Sequence, residues 1–505
     1  MRKIIPLFLL FSFMYAGAAQ AAPAIDAAGA SVLKKQVNDE LQWNADMSAI
    51  EGQGLKAEGK AEVTPKKDFY EVKLPHLYMD IGQQEKKTRI DLGSITLNVV
   101  PGAEDGIWKI QQLTLPPSMT VYDDQNAQEA TITIGEQHFT AEWAPGHGFY
   151  PKHDALFQDV EINGSDNNPL TGNITKIKSL ANFKDNGDGT WSGSSDADIE
   201  GITLSLPGSS STINVARLSS HKVYEGLDTR AQIKTKVEVL KHGLPQTDSD
   251  KKALLVKFDE LQSADVQGSS NTSDVSGFSL QKGGEEMISF DQLTLAHILP
   301  NAKQEKRRIL VKTAFQGLNI PSIPQPFAAL IPHTLNAEIT IDNLPEDQLS
   351  DAFFALVSKA RTAKQTDSDP VVQKHAREQV LKEAAQFPKI FGNAGTSVSV
   401  QNTYAASDDV SVTLQSQLKA SPEDALGFSG STTIGIKGLD EFVQKSVGGN
   451  SDPHTLSYLT AINSVDAKGT PAKAADGTSL RNYAIELKKS GEVTVNGVAV
   501  NGAKQ

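Results

Sequence analysis

Apolar and polar residues alternate along most of this chain. Ile95, Leu97 and Val99 alternate with Thr96 and Asn98. Ile202, Leu204 and Leu206 alternate with Thr203 and Ser205, and Val410, Val412 and Leu414 with Ser411 and Thr413. Tyr483, Ile485 and Leu487 repeat the pattern. A period of two gives each strand one apolar and one polar face, as in antiparallel sheets with one wet side. Asn163-Gly164, Asn186-Gly187, Asp188-Gly189, Asp476-Gly477 and Asn496-Gly497 punctuate the runs as turns. The last is the clearest. Val493 and Val495 precede it and Val498 and Val500 follow, so a type I′ turn pairs Val495 with Val498 and Val493 with Val500.

A weak internal repeat overlies the alternation. Gly201 opens Ile202-Thr203-Leu204, a polar turn, then Ile213-x-Val215-x-x-Leu218 and His221. Gly277 opens Phe278-Ser279-Leu280, a polar turn, then Ile288-x-Phe290-x-x-Leu293 and His297. Tyr78 to Val99 forms a third, looser copy. Each unit reads as strand, turn, strand, and such hairpins bury a face by joining a larger sheet. Any antiparallel protein also produces such spacing. The polar segments Gly208–Ser211 and Gly268–Asp274 read as loops.

Helical period appears at length only over about residues 345–391. Leu349, Ala352, Phe353, Leu356 and Ala360 form one stripe, with Pro345, Glu346 and Asp347 suited to a first turn. A second helix starts at Asp369-Pro370 and carries Val372, Ala376, Val380, Ala384, Phe387 and Phe391, with Pro388 expected to end or kink it. The short link between them predicts antiparallel packing. Shorter helices are expected near Val32–Leu41 and Leu439–Val447. The whole pattern predicts a mainly β chain of α+β type. It is an extended curved antiparallel sheet of repeated hairpins with a helical hairpin in its C-terminal half.

Composition narrows the function classes. The 505 residues contain no cysteine, which excludes disulfides, zinc ribbons, iron–sulfur sites and a thiol nucleophile. The formal charge of −13 argues against nucleic acid as a partner. Arg2-Lys3, the apolar run Ile4–Met14 and Ala19-Gln20-Ala21 have the order of a secretory signal peptide, cleaved before Ala22; an uncleaved anchor is the alternative. No later stretch is apolar enough for a membrane-spanning helix. Export without cysteine suits a bacterial periplasm. All four tryptophans (Trp43, Trp108, Trp143, Trp191) precede residue 200, whereas the helical pair lies in the last 200 residues. The expected division is therefore a signal peptide (1–21), an N-terminal β-rich lobe (22–225) and a C-terminal β-rich lobe (226–505), with the boundary somewhere in 225–300.

No catalytic motif is present. The best metal candidate is His138, His147, His153 and Asp154, but it lacks the i, i+4 spacing of a helical zinc site, so exposed loop histidines are expected. Asp185-Asn186-Gly187-Asp188-Gly189 lacks the ligand pattern of a calcium loop and reads as a turn. Ser31-x-x-Lys34 and Ser279-x-x-Lys282 have the spacing of a serine–lysine nucleophile without its partner motifs. Asp123-Asp124 and Asp408-Asp409, read as strand residues, face opposite sides and form no carboxylate pair. The expectation is a non-enzyme without cofactor or bound metal.

A proline-rich approach (Pro321, Pro324, Pro326, Pro332) leads to the strand Leu335–Ile341, the helical pair, further hairpins, and the closing Gly491-Glu492-Val493-Thr494-Val495-Asn496-Gly497. This order, over roughly residues 190–500, resembles the AsmA-like group of bacterial envelope proteins and neighbouring periplasmic families. The resemblance implies a curved β-sheet groove with an apolar inside, lipid handling and envelope integrity, and no catalytic residues. The cleavable signal departs from that group, many of whose members keep an N-terminal anchor. The expected function is that of an exported envelope protein whose apolar sheet face binds or shelters lipid or contacts another envelope protein. Ile202, Leu204, Leu206, Ile213, Val215, Phe278, Leu280 and Phe290 would line that face, and Leu349, Phe353, Leu356, Val380 and Phe387 would form a lid; ordinary core is the alternative for both sets. The rival function is a periplasmic hydrolase or metal-binding protein using the His138–Asp154 segment. A third alternative, an outer-membrane barrel, fits poorly with 6% aromatic residues.

Overall fold

The computed structural model describes residues 25–51, 54–81, 88–103, 106–145, 149–165, 169–206, 208–229, 266–300, 307–323, 327–345, 348–349, 352, 378, 381–382, 386–448 and 468–500. The signal segment 1–21 lies outside them, as does most of the helical pair, including Phe353, Leu356 and Val380. The described residues form 22 strands in antiparallel pairs and a few helices, so the chain is mainly β. It divides into two compact units between Glu285 and Glu286.

Unit one begins with helix α1 (Ala27–Glu51), longer than the expected Val32–Leu41. Asp26 caps it: its carboxylate accepts from the Gly29 N–H at 2.8 Å, and its own N–H donates to the Tyr70 hydroxyl at 3.1 Å. Twelve strands follow: β1 (Gly54–Glu58), β2 (Glu62–Pro65), β3 (Tyr70–Ile81), β4 (Thr88–Pro101), β5 (Trp108–Thr114), β6 (Ser118–Tyr122), β7 (Gln128–Ala144), β8 (Phe149–Gly164), β9 (Thr171–Asp185), β10 (Thr190–Leu206), β11 (Ser211–Asp228) and β12 (Gly268–Lys282). From β7 to β12 each strand pairs with the next as an antiparallel meander. Gly268–Asp274, expected as a loop, is strand. Its serines and Asn271 have no apolar face of their own but pair residue by residue with Ser219–Glu225 of β11.

A seam crosses this meander and explains the repeat. Within β8 to β12, apolar residues sit three apart instead of two at one level: Phe157 and Val160, Ile174 and Ile177, Ile199 and Ile202, Val215 and Leu218, Val275 and Phe278. All of them are buried or half-buried on one face. Between them lies one row of cross-strand neighbours, Gly135, Asp159, Thr175, Gly201, Ala216 and Gly277, that drops out of the pairing while the register on either side continues unshifted. The residues with positive φ in that row are Asp159 (52°), Gly201 (65°) and Gly277 (58°), one on every second strand. Each strand reverses its alternation at the seam, and because all reverse together the apolar face stays continuous. Gly201 and Gly277 therefore lie mid-strand, at the bend, and do not open their hairpins. Gly93, in the looser third copy, has the same conformation (φ 61°) between Leu92 and Ile95.

Unit two holds β13 (Glu285–Leu299), β14 (Arg307–Gln316), β15 (Thr334–Leu344), β16 (Ser397–Ala406), β17 (Ser411–Ala420), β18 (Phe428–Lys437), β19 (Thr470–Lys473), β20 (Ser479–Leu487), β21 (Val493–Val495) and β22 (Val498–Ala499). β13 to β18 form a second meander, and β18 then pairs with β20. Helix α2 (Phe387–Ala394) follows a turn at Gln386 and carries Pro388 in its first turn, where a proline gives up an N–H that has no partner anyway; most of the expected helix before it lies outside the described residues. Gly395 closes α2 in the left-handed conformation (φ 67°). Helix α3 (Leu439–Gly448) is the expected one, and it buries Leu439 and Phe442 against Ala329 and Leu330 of a short 3-10 helix, Phe327–Leu330. The closing hairpin has the expected pairing. Val495 faces Val498, the Val500 N–H donates to the Val493 carbonyl at 2.8 Å, and Asn496 and Gly497 have φ of 49° and 79°. Its valines are less buried than a closing core strand requires, with Val498 71% exposed.

Candidate functional site

The apolar face of unit one is the candidate site, and the sheet register builds it. Ile134, Val160, Ile174, Ile202, Val215 and Phe278 stand side by side across β7 to β12. The next row runs Ile132, Ile162, Gly172, Leu204, Ile213 and Leu280. At Gly172 the missing side chain makes room for a neighbour, since a Cβ there would lie 2.7 Å from Leu204 Cδ2. Seven of the eight expected lining residues thus form one surface: Ile202, Leu204, Leu206, Ile213, Val215, Phe278 and Leu280 all belong to or pack on the main core cluster. The eighth, Phe290, lies on β13 in unit two.

Cover over this surface changes from strand to strand. Ile134, Val160 and Ile174 are buried, whereas Ile202, Val215 and Phe278 in the same row are half-buried. Five interstrand steps between β7 and β12 make the stripe about 24 Å long. One leaflet of bilayer hydrocarbon is roughly 15 Å thick.

At the β1–β7 side, α1 covers the same face. It buries Ala30, Leu33 and Val37, but also Gln36, Glu40 and Asn44. The expected span Val32–Leu41 already contains Gln36 and Glu40, and the helix runs on past it through Asn44, whose Nδ2 donates to the Glu40 carbonyl at 3.0 Å. The Trp108 indole N–H donates to Gln36 Oε1 at 2.7 Å, which anchors the helix to β5. Beneath α1 lies a cavity of about 70 Å³. Its walls are mostly apolar, among them Leu74, Leu92, Leu97 and Phe139, with Glu40, Asn44, Trp143 and Tyr150 as polar exceptions. Burial, and then the charge of Glu40, push the pKa of the Tyr150 hydroxyl up. The cavity is under half the size of an engineered apolar cavity that takes up benzene, about 150 Å³. A longer apolar guest at this end requires α1 to move.

The expected lid residues that are described, Leu349 and Phe387, belong to unit two and are half-buried. Phe387 stacks near Phe391, which in turn meets Phe428 of β18, as local packing. Of the rival metal segment, the described residues His138, His153 and Asp154 are not grouped for a metal ion. His153 and Asp154 are neighbours on β8 and face opposite sides; His153 Nε2 lies 2.8 Å from Ser179 Oγ, while His138 on β7 is exposed. His147 lies outside the described residues, and among those described no group of three or more His, Asp or Glu is placed to hold a metal ion. In the Asp185–Gly189 turn, Asp185 and Asp188 accept from the backbone N–H groups of Gly187 (2.8 Å) and Thr190 (2.9 Å), as a turn requires. Ser279 accepts a hydrogen bond from Asn214 on β11, and Ser31 is exposed on α1.

Neither adjacent acidic pair lies on a strand: Asp123 and Asp124 are in the turn between β6 and β7, where Asp123 Oδ1 accepts from the Gln125 and Ala127 N–H groups at 2.9 and 2.7 Å. Asp408 and Asp409 lie in the turn between β16 and β17, closed by the Ser407 N–H on the Val410 carbonyl at 2.8 Å, and both line one cavity. Alternating flanks hid the turn, which lacks glycine and proline. Among the described residues no helix is long and apolar enough to cross a membrane. Comparison of the chain with protein-family models, with curated proteins and with solved structures gives no match.

Proposed function

We propose that the protein is a non-enzymatic, exported envelope protein that binds a long apolar molecule, a lipid acyl chain, on the inner face of unit one. The observation that carries this reading is the row Ile134, Val160, Ile174, Ile202, Val215 and Phe278 across β7 to β12, whose first three members are buried and last three half-buried, while Leu204 and Ile213 in the next row are buried. A fully functional core would close over such a row, since each half-buried isoleucine or phenylalanine leaves apolar area in water at about 25 cal/mol per Å². An acyl chain laid across the strands would remove that area. The N-terminal signal pattern and the likeness to AsmA-like proteins agree with a place in the bacterial envelope.

Lipid extraction and native mass spectrometry of protein purified from cell envelopes test the reading. Stoichiometric phospholipid or fatty acid is expected on the wild type. Ile202→Glu with Phe278→Glu should lower its occupancy at least about tenfold, because a charge on the stripe loses its water when the chain binds. Circular dichroism reports whether the variant has folded, and displacement of a fluorescent fatty acid from the wild type gives a second measurement. Wild-type protein free of lipid that also fails to bind the fluorescent probe would overturn the proposal.

A further inference from the structure

We propose, resting on the acyl-chain reading above, that the lipid of unit one is an anionic amphiphile whose negative headgroup sits on a polar band of the same sheet face, centred on Lys222.

The register places the band. Along β11 the inner-face positions run Val215, Leu218, Ser220, Lys222 and Tyr224. Val215 and Leu218 pack on the main core cluster, whereas Tyr224 packs on a separate cluster with Phe183 and Trp191. The two positions between are polar. Their cross-strand neighbours repeat the change: Ser220 stands between Ala197 and Ser273, and Lys222 between Ser195 and Asn271. Ser179 on β9 lies at the same level, its Oγ 2.8 Å from His153 Nε2 on β8. Ser195, Ser220, Asn271 and Ser273 are half-buried. Alternation runs unbroken through the band, so a face with apolar clusters on either side carries a polar gap. A packed core gains nothing from such a gap, because each hydroxyl or amide taken from water costs free energy unless a partner replaces it. A bound polar group is such a partner.

The chemistry of the band suits an anion. On these strands Asp196, Asp198, Glu200 and Asp274 sit on the outer face. There Asp198 pairs with Arg217 at 2.7 Å, Glu200 with Lys176 at 2.9 Å and Asp196 with His221 at 2.5 Å. The inner positions between Ile199 and Trp191, and between Leu218 and Tyr224, hold no acidic residue. Lys222 is exposed, and among the described residues it is paired with no carboxylate. Beside it, Asn271 Oδ1 accepts from Ser220 Oγ at 3.1 Å, so the amide presents its NH2 donors. An ammonium, an amide NH2 and the Ser195 hydroxyl together match a carboxylate or a phosphate. Lys222 follows Leu218 by four residues, about 13 Å along β11, within reach of a headgroup whose chain lies on the stripe.

Titration calorimetry of the purified full chain with decanoate, decyl phosphate and decanol tests this, since the three share one chain and differ in headgroup. At least one anion is expected to bind about tenfold tighter than decanol at low salt, and raising the salt should shrink that advantage. Lys222→Gln should remove the advantage and leave decanol binding unchanged, which also reports that the variant is folded. Asn271→Asp, which gives Lys222 a carboxylate partner, should do the same. The tighter anion identifies the source of the headgroup, a free fatty acid for decanoate and a lipid phosphate for decyl phosphate. Equal binding of all three, or an anion preference that persists in both variants, would overturn the headgroup proposal and leave the acyl-chain reading standing. If none of the three binds, both fall.

Discussion

Single residues decide where the sheet tolerates charge. Asp80 on β3 is 3% exposed, yet it is ionised between two cations, with Lys56 Nζ 2.6 Å from Oδ2 and Arg89 Nε 2.9 Å from Oδ1. Burial alone would raise its pKa, but the hydrogen bonds from Arg89 and Lys56 together outweigh burial and hold the carboxyl below its ordinary value. A depressed folded-state pKa stabilises the fold above the unfolded carboxyl's value of about 3.9, and that contribution is lost as pH falls through the lower folded value. Asp80→Asn is therefore expected to destabilise unit one by about 1.5–3 kcal/mol at pH 7. The gap to wild type should narrow below about pH 4. Urea midpoints at neutral and acid pH measure both, and a gap that persists undiminished in acid would show that the pair contributes through packing instead of charge.

At the scale of elements, the seam across β8 to β12 depends on positive φ in alternate strands. A Cβ at Gly201 would lie 2.3 Å from Thr175 Oγ1, in a conformation (φ 65°) that side chains disfavour. Gly201→Val should destabilise unit one by about 1–3 kcal/mol or more from backbone strain alone. Asp159→Gly, at the matching position of β8 with φ 52°, should be neutral or mildly stabilising, because glycine accepts that conformation freely. Thermal unfolding of the two variants checks the contrast, and equal losses would mean that the seam is not held by local backbone preference. The seam was half-legible in the sequence. The spacings Val215-x-x-Leu218 and Phe290-x-x-Leu293 record the reversal of alternation, and Gly201 and Gly277 mark where it happens, but a single chain does not say whether a glycine opens a hairpin or bends a strand. The closing hairpin was fully legible, since Asn496-Gly497 specifies both turn type and register. α1 was cut short because past Leu41 its buried face carries the polar Asn44, so the apolar stripe fades while the helix continues to Glu51. The polar band was not legible, because Ser195, Lys222 and Asn271 meet only through sheet register.

Across the molecule, the two units differ in how they use apolar residues. Among the described residues, unit one buries Leu33, Tyr70, Val72, Leu92, Val99, Trp108, Met119 and Val160 to below 2% exposure, whereas Phe442 is the large apolar side chain so buried in unit two. The strands of unit two keep their alternation but leave most apolar side chains half-buried, with Leu295 48% and Tyr404 42% exposed. Both units are built of paired antiparallel strands with local breaks in the pairing, so side-chain burial sets the difference in opening free energy. Amides of β13 to β18 should therefore exchange with solvent earlier, and at lower urea, than those of β3 to β10. The proposed acyl-chain ligand sharpens the contrast: bound at 100 times its Kd it would add about 2.7 kcal/mol to whatever opening releases it. Added fatty acid should slow exchange in β7 to β12 and leave β13 to β18 unchanged. Native-state hydrogen exchange with and without the fatty acid reads both effects. Protection gained equally in the two sets of strands would place the ligand elsewhere than on the stripe of unit one.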